Sequence, residues 1–178
     1  MTRDELKSLI RTIPDFPKTG IQFRDITTLL AHGEGLAASI DMLAELAAPL
    51  GATKVAGIEA RGFIFGTALA LRLGTGFVPV RKAGKLPVET ISEDYALEYG
   101  AATIELDPTI IEPGEHVLVI DDLLATGGTA VAAANLLRRA GARVDHALFV
   151  VDLPELGGAQ VLAGAQVQAR SLIEFAGH

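Results

Sequence analysis

A chain of 178 residues, 49% of them hydrophobic, is long enough for one domain around one core and too apolar to be disordered. A formal charge of −7 argues against sequence-independent nucleic-acid binding, which needs an electropositive surface, and the absence of cysteine removes disulfides and thiolate metal sites. No apolar run approaches the ~20 residues that cross a bilayer, and Met1-Thr2-Arg3-Asp4-Glu5 leads into an amphipathic pattern instead of a secretory leader, so a cytoplasmic protein is expected.

Thr2 and Glu5 have capping-box spacing, and Leu6, Leu9 and Ile10 fall on one helical face, which predicts a short first helix ended by Pro14 and Pro17. Residues 19–25 read as a loop or short extended segment with Phe23 packed inward. Leu36, Ile40, Leu43, Ala47 and Leu50 recur at helical spacing up to Gly51, a residue suited to closing a helix. The pattern then alternates: strand 55–58, helix 62–73, strand 77–80, strand 117–120, helix 128–140, strand 147–151. Strands apolar at consecutive positions are buried on both faces, and their alternation with helices predicts right-handed crossovers and a doubly wound α/β fold with a mostly parallel sheet. Between Lys82 and Pro113 the rhythm breaks into polar, Glu-rich sequence. Two antiparallel strands projecting from the core are expected there, a flexible lid at about 86–104. With no internal repeat, residues 1–178 read as a single domain.

In open α/β sheets ligands bind beyond the carboxyl ends of the strands. The strand 117–120 is followed by Asp121-Asp122-Leu123-Leu124-Ala125-Thr126-Gly127-Gly128-Thr129 and then by a helix. Adjacent carboxylates can accept hydrogen bonds from the hydroxyls of a ribose or help to position hydrated Mg²⁺. The stretch 125–129 suits the phosphate: glycines let backbone N–H groups converge on an anion, two threonine hydroxyls add donors, and the helix start adds a favourable dipole. A lone Gly-Gly would read as a tight turn before a helix cap. The string has neither the G-x-G-x-x-G spacing of dinucleotide folds nor the lysine of a P-loop.

Glu59-Ala60-Arg61-Gly62 follows the strand 55–58 and so lies on the same rim, although Arg61 by itself would read as a surface ion-pair partner. Arg81, Lys82 and Lys85 cluster after the strand 77–80, where Gly84 lets the chain bend; elsewhere such a cluster would be a solvated face. Glu98 and Tyr99 sit in the lid, and alone Glu98 would be a solvent-facing charge. His32, His116, His146 and His178 are scattered without ligand spacing, and no G-x-S-x-G elbow occurs, so neither a histidine metal site nor a hydrolase nucleophile is expected.

The string 117–129 resembles the ribose-phosphate signature of the type I phosphoribosyltransferases. Glu59-Ala60-Arg61-Gly62-Phe63, Val80-Arg81-Lys82-Ala83-Gly84-Lys85-Leu86-Pro87, Tyr95-Ala96-Leu97-Glu98-Tyr99-Gly100, Phe16-Pro17-Lys18 and Phe23-Arg24-Asp25 extend the resemblance over nearly the full chain, to those members that act on adenine. It departs at Thr19 and Ala83, where relatives often carry proline or a larger residue. The resemblance implies Mg²⁺-dependent transfer of the 5-phosphoribosyl group from 5-phospho-α-D-ribose 1-diphosphate to adenine, giving AMP and diphosphate in purine salvage. It further implies a cytoplasmic homodimer with no nucleic-acid or membrane partner.

By the same resemblance, Asp121, Asp122, Ala125, Thr126, Gly127, Gly128 and Thr129 hold the ribose and its phosphate. Glu59, Ala60 and Arg61 form the diphosphate loop, often with a non-proline cis peptide, while Arg81, Lys82 and Lys85 are diphosphate-side contacts, some donated across a dimer interface. Glu98 as a protonated carboxyl faces purine N7, and Tyr99 contacts phosphate or covers the ribose. Phe23 and Leu153 sandwich the base, backbone groups near Gln22 read its amine, and Arg24 closes one wall. Mg²⁺ enters through the substrate's diphosphate and ribose, with no dedicated protein ligand. Two other readings stand beside this one: a related transferase for hypoxanthine, xanthine or orotate, and a regulator that senses ribose phosphates while binding nucleic acid.

Overall fold

The computed structural model describes residues 1–97 and 100–177. The chain opens on helix α1 (Arg3–Ser8), where Thr2 Oγ1 accepts from the Glu5 N–H at 3.2 Å and Glu5 Oε2 accepts from the Thr2 N–H at 2.6 Å, so the predicted capping box is formed. The helix stops well before the prolines. Strand β1 (Arg11–Pro14) follows and pairs antiparallel with β2 (Gln22–Asp25), Ile13 opposite Phe23. Pro14 thus closes a strand, at a position where its missing N–H breaks no ladder. Helices α2 (Thr27–Leu30) and α3 (Gly33–Ala47) come next; the final turn of α3 tightens into a 3-10 turn at Ala48–Leu50, and the chain leaves through Gly51 at φ 65°.

The remaining elements are β3 (Lys54–Ile58), α4 (Arg61–Leu73), β4 (Gly76–Lys82), β5 (Ile91–Leu97), β6 (Gly100–Leu106), β7 (Val117–Leu124), α5 (Gly128–Arg139), β8 (His146–Asp152), α6 (Gly158–Gly164) and β9 (Gln168–Glu174). They build a seven-stranded sheet in the order β5-β6-β4-β3-β7-β8-β9. The run from β4 to β9 is parallel, and β6 and β5 add antiparallel strands at one edge. This is the expected α/β sheet flanked by helices. The chain leaves β3 on one side to form β4 and returns on the other side as β7, so the sheet reverses direction between β3 and β7, where a crevice opens at the carboxyl ends.

Alternate residues of each central strand serve opposite faces. Val117 and Val119 pack with Ala56, Phe149 and the α5 residues Ala133, Leu136 and Leu137, whereas Leu118 and Ile120 pack with Val55, Leu43, Phe65 and Leu69 beneath α3 and α4. Coverage on both sides is what permits the consecutive apolar residues from which these strands are predicted.

Three expectations are corrected. The acidic pair Asp121-Asp122 does not follow its strand but belongs to it, because β7 continues to Leu124 by pairing Leu123 with Val151 and Leu124 with Asp152. The β5–β6 hairpin is antiparallel as expected, yet its base does not project from the core: Ile104 and Leu106 are apolar and buried, β6 pairs with β4, and Arg139 Nη1 on α5 donates to Ser92 O. An edge strand, β9, lies where no strand was expected.

Candidate active site

The loops after β3, β4 and β7 meet at the crevice. On β7, Asp122 is buried and accepts a 2.5 Å hydrogen bond from Arg61 Nε, the first residue of α4. Its neighbour Asp121 accepts from the Asp122 N–H at 2.9 Å. Burial, followed by the adjacent Asp122 carboxylate, pushes the Asp121 carboxyl well above the usual carboxylate range. Burial opposes charge on Arg61, but the hydrogen bond and charge of Asp122 outweigh it and raise the guanidinium above its ordinary value. The approach of α4 to β7 is possible because residue 62 is glycine: a Cβ there would lie 2.9 Å from both Asp121 Oδ1 and the Ile120 carbonyl.

After β7 the chain turns through 125–127 into α5, with Gly127 at φ 84°. Ala125, Thr126, Gly127 and Thr129 line a cavity of about 90 Å³ with Asp121, Leu123 and Phe149. The loop is braced from behind by the start of α6. Gly127 and Gly158 stack so closely that a Cβ on Gly127 would lie 2.8 Å from the Gly158 carbonyl, and one on Gly158 would collide with the Ala125 carbonyl. Gly158 carries no recognisable motif, and its importance is legible only in three dimensions.

On β3 and β4 the predicted residues converge, though not all point at the crevice. The Glu59–Ala60 peptide is cis. The Glu59 carboxylate accepts from the Lys82 N–H at 2.9 Å and from Arg81 Nε at 3.3 Å, and these bonds, the first above all, hold it below its ordinary range against the opposing effect of burial. Glu59 therefore positions the basic segment. Lys82 and Lys85 keep exposed side chains, and Arg81 Nη1 donates to the Lys85 carbonyl. A residue with no sequence signal, the buried Glu105 of β6, accepts from the Lys85 N–H at 3.1 Å and the Leu86 N–H at 3.2 Å. Burial would raise its pKa, but the backbone donors of Gly84, Leu86 and Lys85 lower it. Its partners lie twenty residues away in the chain.

The base-side residues Gln22, Phe23, Arg24 and Leu153 come together around a second cavity of about 240 Å³, joined by Ile21, Leu123, Leu156, Arg61 and Ala125. Phe23 is half-buried rather than part of the core, with Phe16 edge-on at 5.2 Å. The β2 segment is anchored at Asp25, whose pKa is pulled to about 2 by hydrogen bonds from Thr27 and then Arg11. Arg24 Nη1 donates to Thr12 Oγ1 at 2.6 Å and Nη2 to the Ala176 carbonyl at 2.8 Å; Nε is buried without a partner among the described residues. Glu98 and Tyr99 lie outside the described residues. The Ala96 carbonyl, on the strand leading to them, stands 3.8 Å from where a Gly128 Cβ would be. That strand therefore runs past the β7–α5 loop.

Residues 22–158 match the family model of the phosphoribosyl transferase domain. An adenine phosphoribosyltransferase from Novosphingobium aromaticivorans is 65% identical over 178 residues, covering 100% of both chains. The crystal structure of adenine phosphoribosyltransferase from Thermoanaerobacter pseudethanolicus superposes with a TM-score of 0.93 at 48% identity, over 98% of this chain and 100% of that one. The Saccharomyces cerevisiae adenine phosphoribosyltransferase, complexed with an imino-altritol bisphosphate and adenine, superposes with a TM-score of 0.88 at 36% identity, over 96% and 98% of the two chains. Likeness of this degree, over whole chains, settles the family: the chain belongs to the adenine phosphoribosyltransferases of the phosphoribosyl transferase domain family.

Proposed function

We propose that the protein transfers the 5-phosphoribosyl group of 5-phospho-α-D-ribose 1-diphosphate to adenine, forming AMP and diphosphate in purine salvage. The observation that carries the reading is that the small cavity of the glycine loop and the larger, mostly apolar one share Leu123 and Ala125, so a sugar phosphate in the first and a flat base in the second meet at the end of β7. Relatives named adenine phosphoribosyltransferase support adenine as that base.

In this reading the N–H groups and hydroxyls of 125–129 hold the 5-phosphate, and Asp121 and Asp122 take the ribose hydroxyls. Arg61 changes partner. In the free protein it pairs with Asp122, but 55% of its side chain is exposed, so it can turn to the diphosphate once hydroxyls replace it on the acid. Ala60, Arg81, Lys82 and Lys85 hold the same diphosphate, with Glu59 fixing the Arg81 side chain. Positive charge develops on the ribose as purine N9 displaces the diphosphate at the anomeric carbon; the N9 proton passes to the departing diphosphate, and Glu98, as a protonated carboxyl, donates a hydrogen bond to N7 while keeping its own proton. The hairpin at about 86–104 excludes water from this centre, and Tyr99 contacts phosphate or covers the ribose.

The hard carboxyl oxygens of Asp121 and Asp122 suit Mg²⁺, which in this reading is carried in on the substrate's diphosphate and ribose oxygens. When bound it supplies charge neutralisation of the leaving diphosphate. We place the enzyme in the cytoplasm as a homodimer, free of nucleic acid. No helix among the described residues is long and apolar enough to cross a membrane, and α4 leaves Ile64 (42% exposed) and Leu71 (79% exposed) seven residues apart on its outer surface. An ultraviolet assay for AMP with Mg²⁺, the sugar diphosphate and a panel of adenine, hypoxanthine, xanthine and orotate tests the reading. Turnover of adenine alone is expected; turnover of another base, or of none, overturns it.

A further inference from the structure

The three residues after β9 tie together parts of the base cavity that are remote in sequence. The Phe175 N–H donates to the Asp152 carbonyl at 3.0 Å, continuing the β8–β9 ladder. Next, the Ala176 carbonyl accepts from Arg24 Nη2 at 2.8 Å, a bond spanning 152 residues, and the Gly177 N–H donates to Glu155 Oε1 at 2.9 Å. The Phe175 ring, 9% exposed, has the Arg24 guanidinium over it at 4.6 Å and the Lys7 ammonium at 4.7 Å. Arg24 lines the cavity beside Phe23, and Glu155 sits between the lining residues Leu153 and Leu156.

We propose that residues 175–177 act as a strap that sets the spacing between the β2 lining and the Leu153/Leu156 lining, making Phe175 and Glu155 positioning residues for the base. Arg24 is a long side chain at the rim of β2; Thr12 on β1 holds one end of its guanidinium, and the Ala176 carbonyl and the Phe175 ring hold the other end and one face. A planar ligand gripped between Phe23 and Leu153 needs that slot held at one width before it arrives. The strap touches neither the glycine loop nor the Glu59–Arg81 pair, so its loss acts on base binding and leaves the sugar side alone. The inference rests on the proposal that this cavity takes adenine.

The test is steady-state kinetics of the full chain with adenine and with the sugar diphosphate varied in turn. Phe175→Ala is expected to raise KM for adenine about tenfold, with kcat within about twofold and KM for the sugar diphosphate unchanged. Glu155→Ala is expected to raise it about threefold, and Glu155→Gln, which keeps an oxygen for the Gly177 N–H, to restore the parent value. Should Phe175→Ala fail to fold, the exposed Glu155 carries the test. The strap is refuted by an unchanged KM for adenine in Glu155→Ala, or by KM for both substrates and kcat shifting together. A parent enzyme inactive with adenine refutes the proposed function first, and the strap with it.

Discussion

Arg61 and Asp122 lie 61 residues apart in sequence and 2.5 Å apart in space, and each has a use only when the other lets go. If Asp122 holds ribose hydroxyls, Asp122→Asn lowers affinity for the sugar diphosphate about 10- to 100-fold, the scale of one charged hydrogen bond of ~1.5–3 kcal/mol. Titration calorimetry showing the parent affinity would remove the role. Glu98 is proposed to work at the base, so Glu98→Gln is expected to cut kcat about 100-fold or more while the sugar diphosphate dissociation constant stays within about twofold. Single-turnover rates beside equilibrium binding check both halves, and a mutant of normal turnover takes Glu98 out of the chemistry.

Among the elements, the junction of the β7–α5 loop with α6 is the tightest packed. Gly158→Ala puts a methyl group into the Ala125 carbonyl and within 2.7 Å of Leu124 Cδ1. Neither can retreat freely, one being backbone and the other in the core, so a loss of ~1–3 kcal/mol in urea unfolding and a raised KM for the sugar diphosphate are expected. Unaltered values would show that the loop does not depend on its brace. What the sequence discloses about these elements follows from burial. Strands β3, β7 and β8 were legible because their residues are apolar on both faces, and the turn into α5 because Gly127-Gly128 interrupts the apolar run; anion binding by the string at 121–129 stays a proposal. Strand β9, Gln-Ala-Arg-Ser-Leu-Ile-Glu, is an edge strand with polar residues toward solvent and shows no such run. The acids were placed one step too late because Asp is rare in strands, and only pairing with β8 carries β7 past them. Glu105 was invisible, since its value depends on N–H groups of a loop whose position local sequence does not encode.

For the molecule as a whole, the exposed face of α4 and a buried histidine make separate predictions. The exposed Ile64 and Leu71 of α4 support the proposed homodimer, and Leu71→Asp is expected to shift sedimentation toward the monomer; a parent already monomeric at micromolar concentration contradicts the assembly. At the opposite end of the sheet from the site, His116 is buried with neither ring nitrogen in hydrogen-bond geometry to another described residue; Asp145 Oδ2 stands 3.7 Å from Nε2 and His146 at 6.4 Å between ring centroids. Burial first, and then the Arg143 charge, lower its pKa below the ordinary 6.5. The folded protein thus keeps this imidazole neutral where the unfolded chain protonates it. Its contribution is complete above about pH 6.5 and is lost as pH falls through that value toward the depressed folded pKa. His116→Phe is expected to flatten the stability difference between pH 8 and pH 5.5 in urea unfolding, and an identical slope would assign the acid sensitivity elsewhere.

The crossing of β3 by β4 on one flank and β7 on the other also has a bearing on synthesis. Lys54 pairs with Val117 and Gly57 with Ile120, so a ribosome must deliver more than sixty further residues before the first half of the rim meets its second. Until then a nascent chain carries Arg61 without its Asp122 partner and β3 with a bare apolar flank, a species suited to chaperone capture. The rim closes in one late event, when β7 slots into place beside β3, and a message broken before that point yields a chain whose sheet lacks its central pairing.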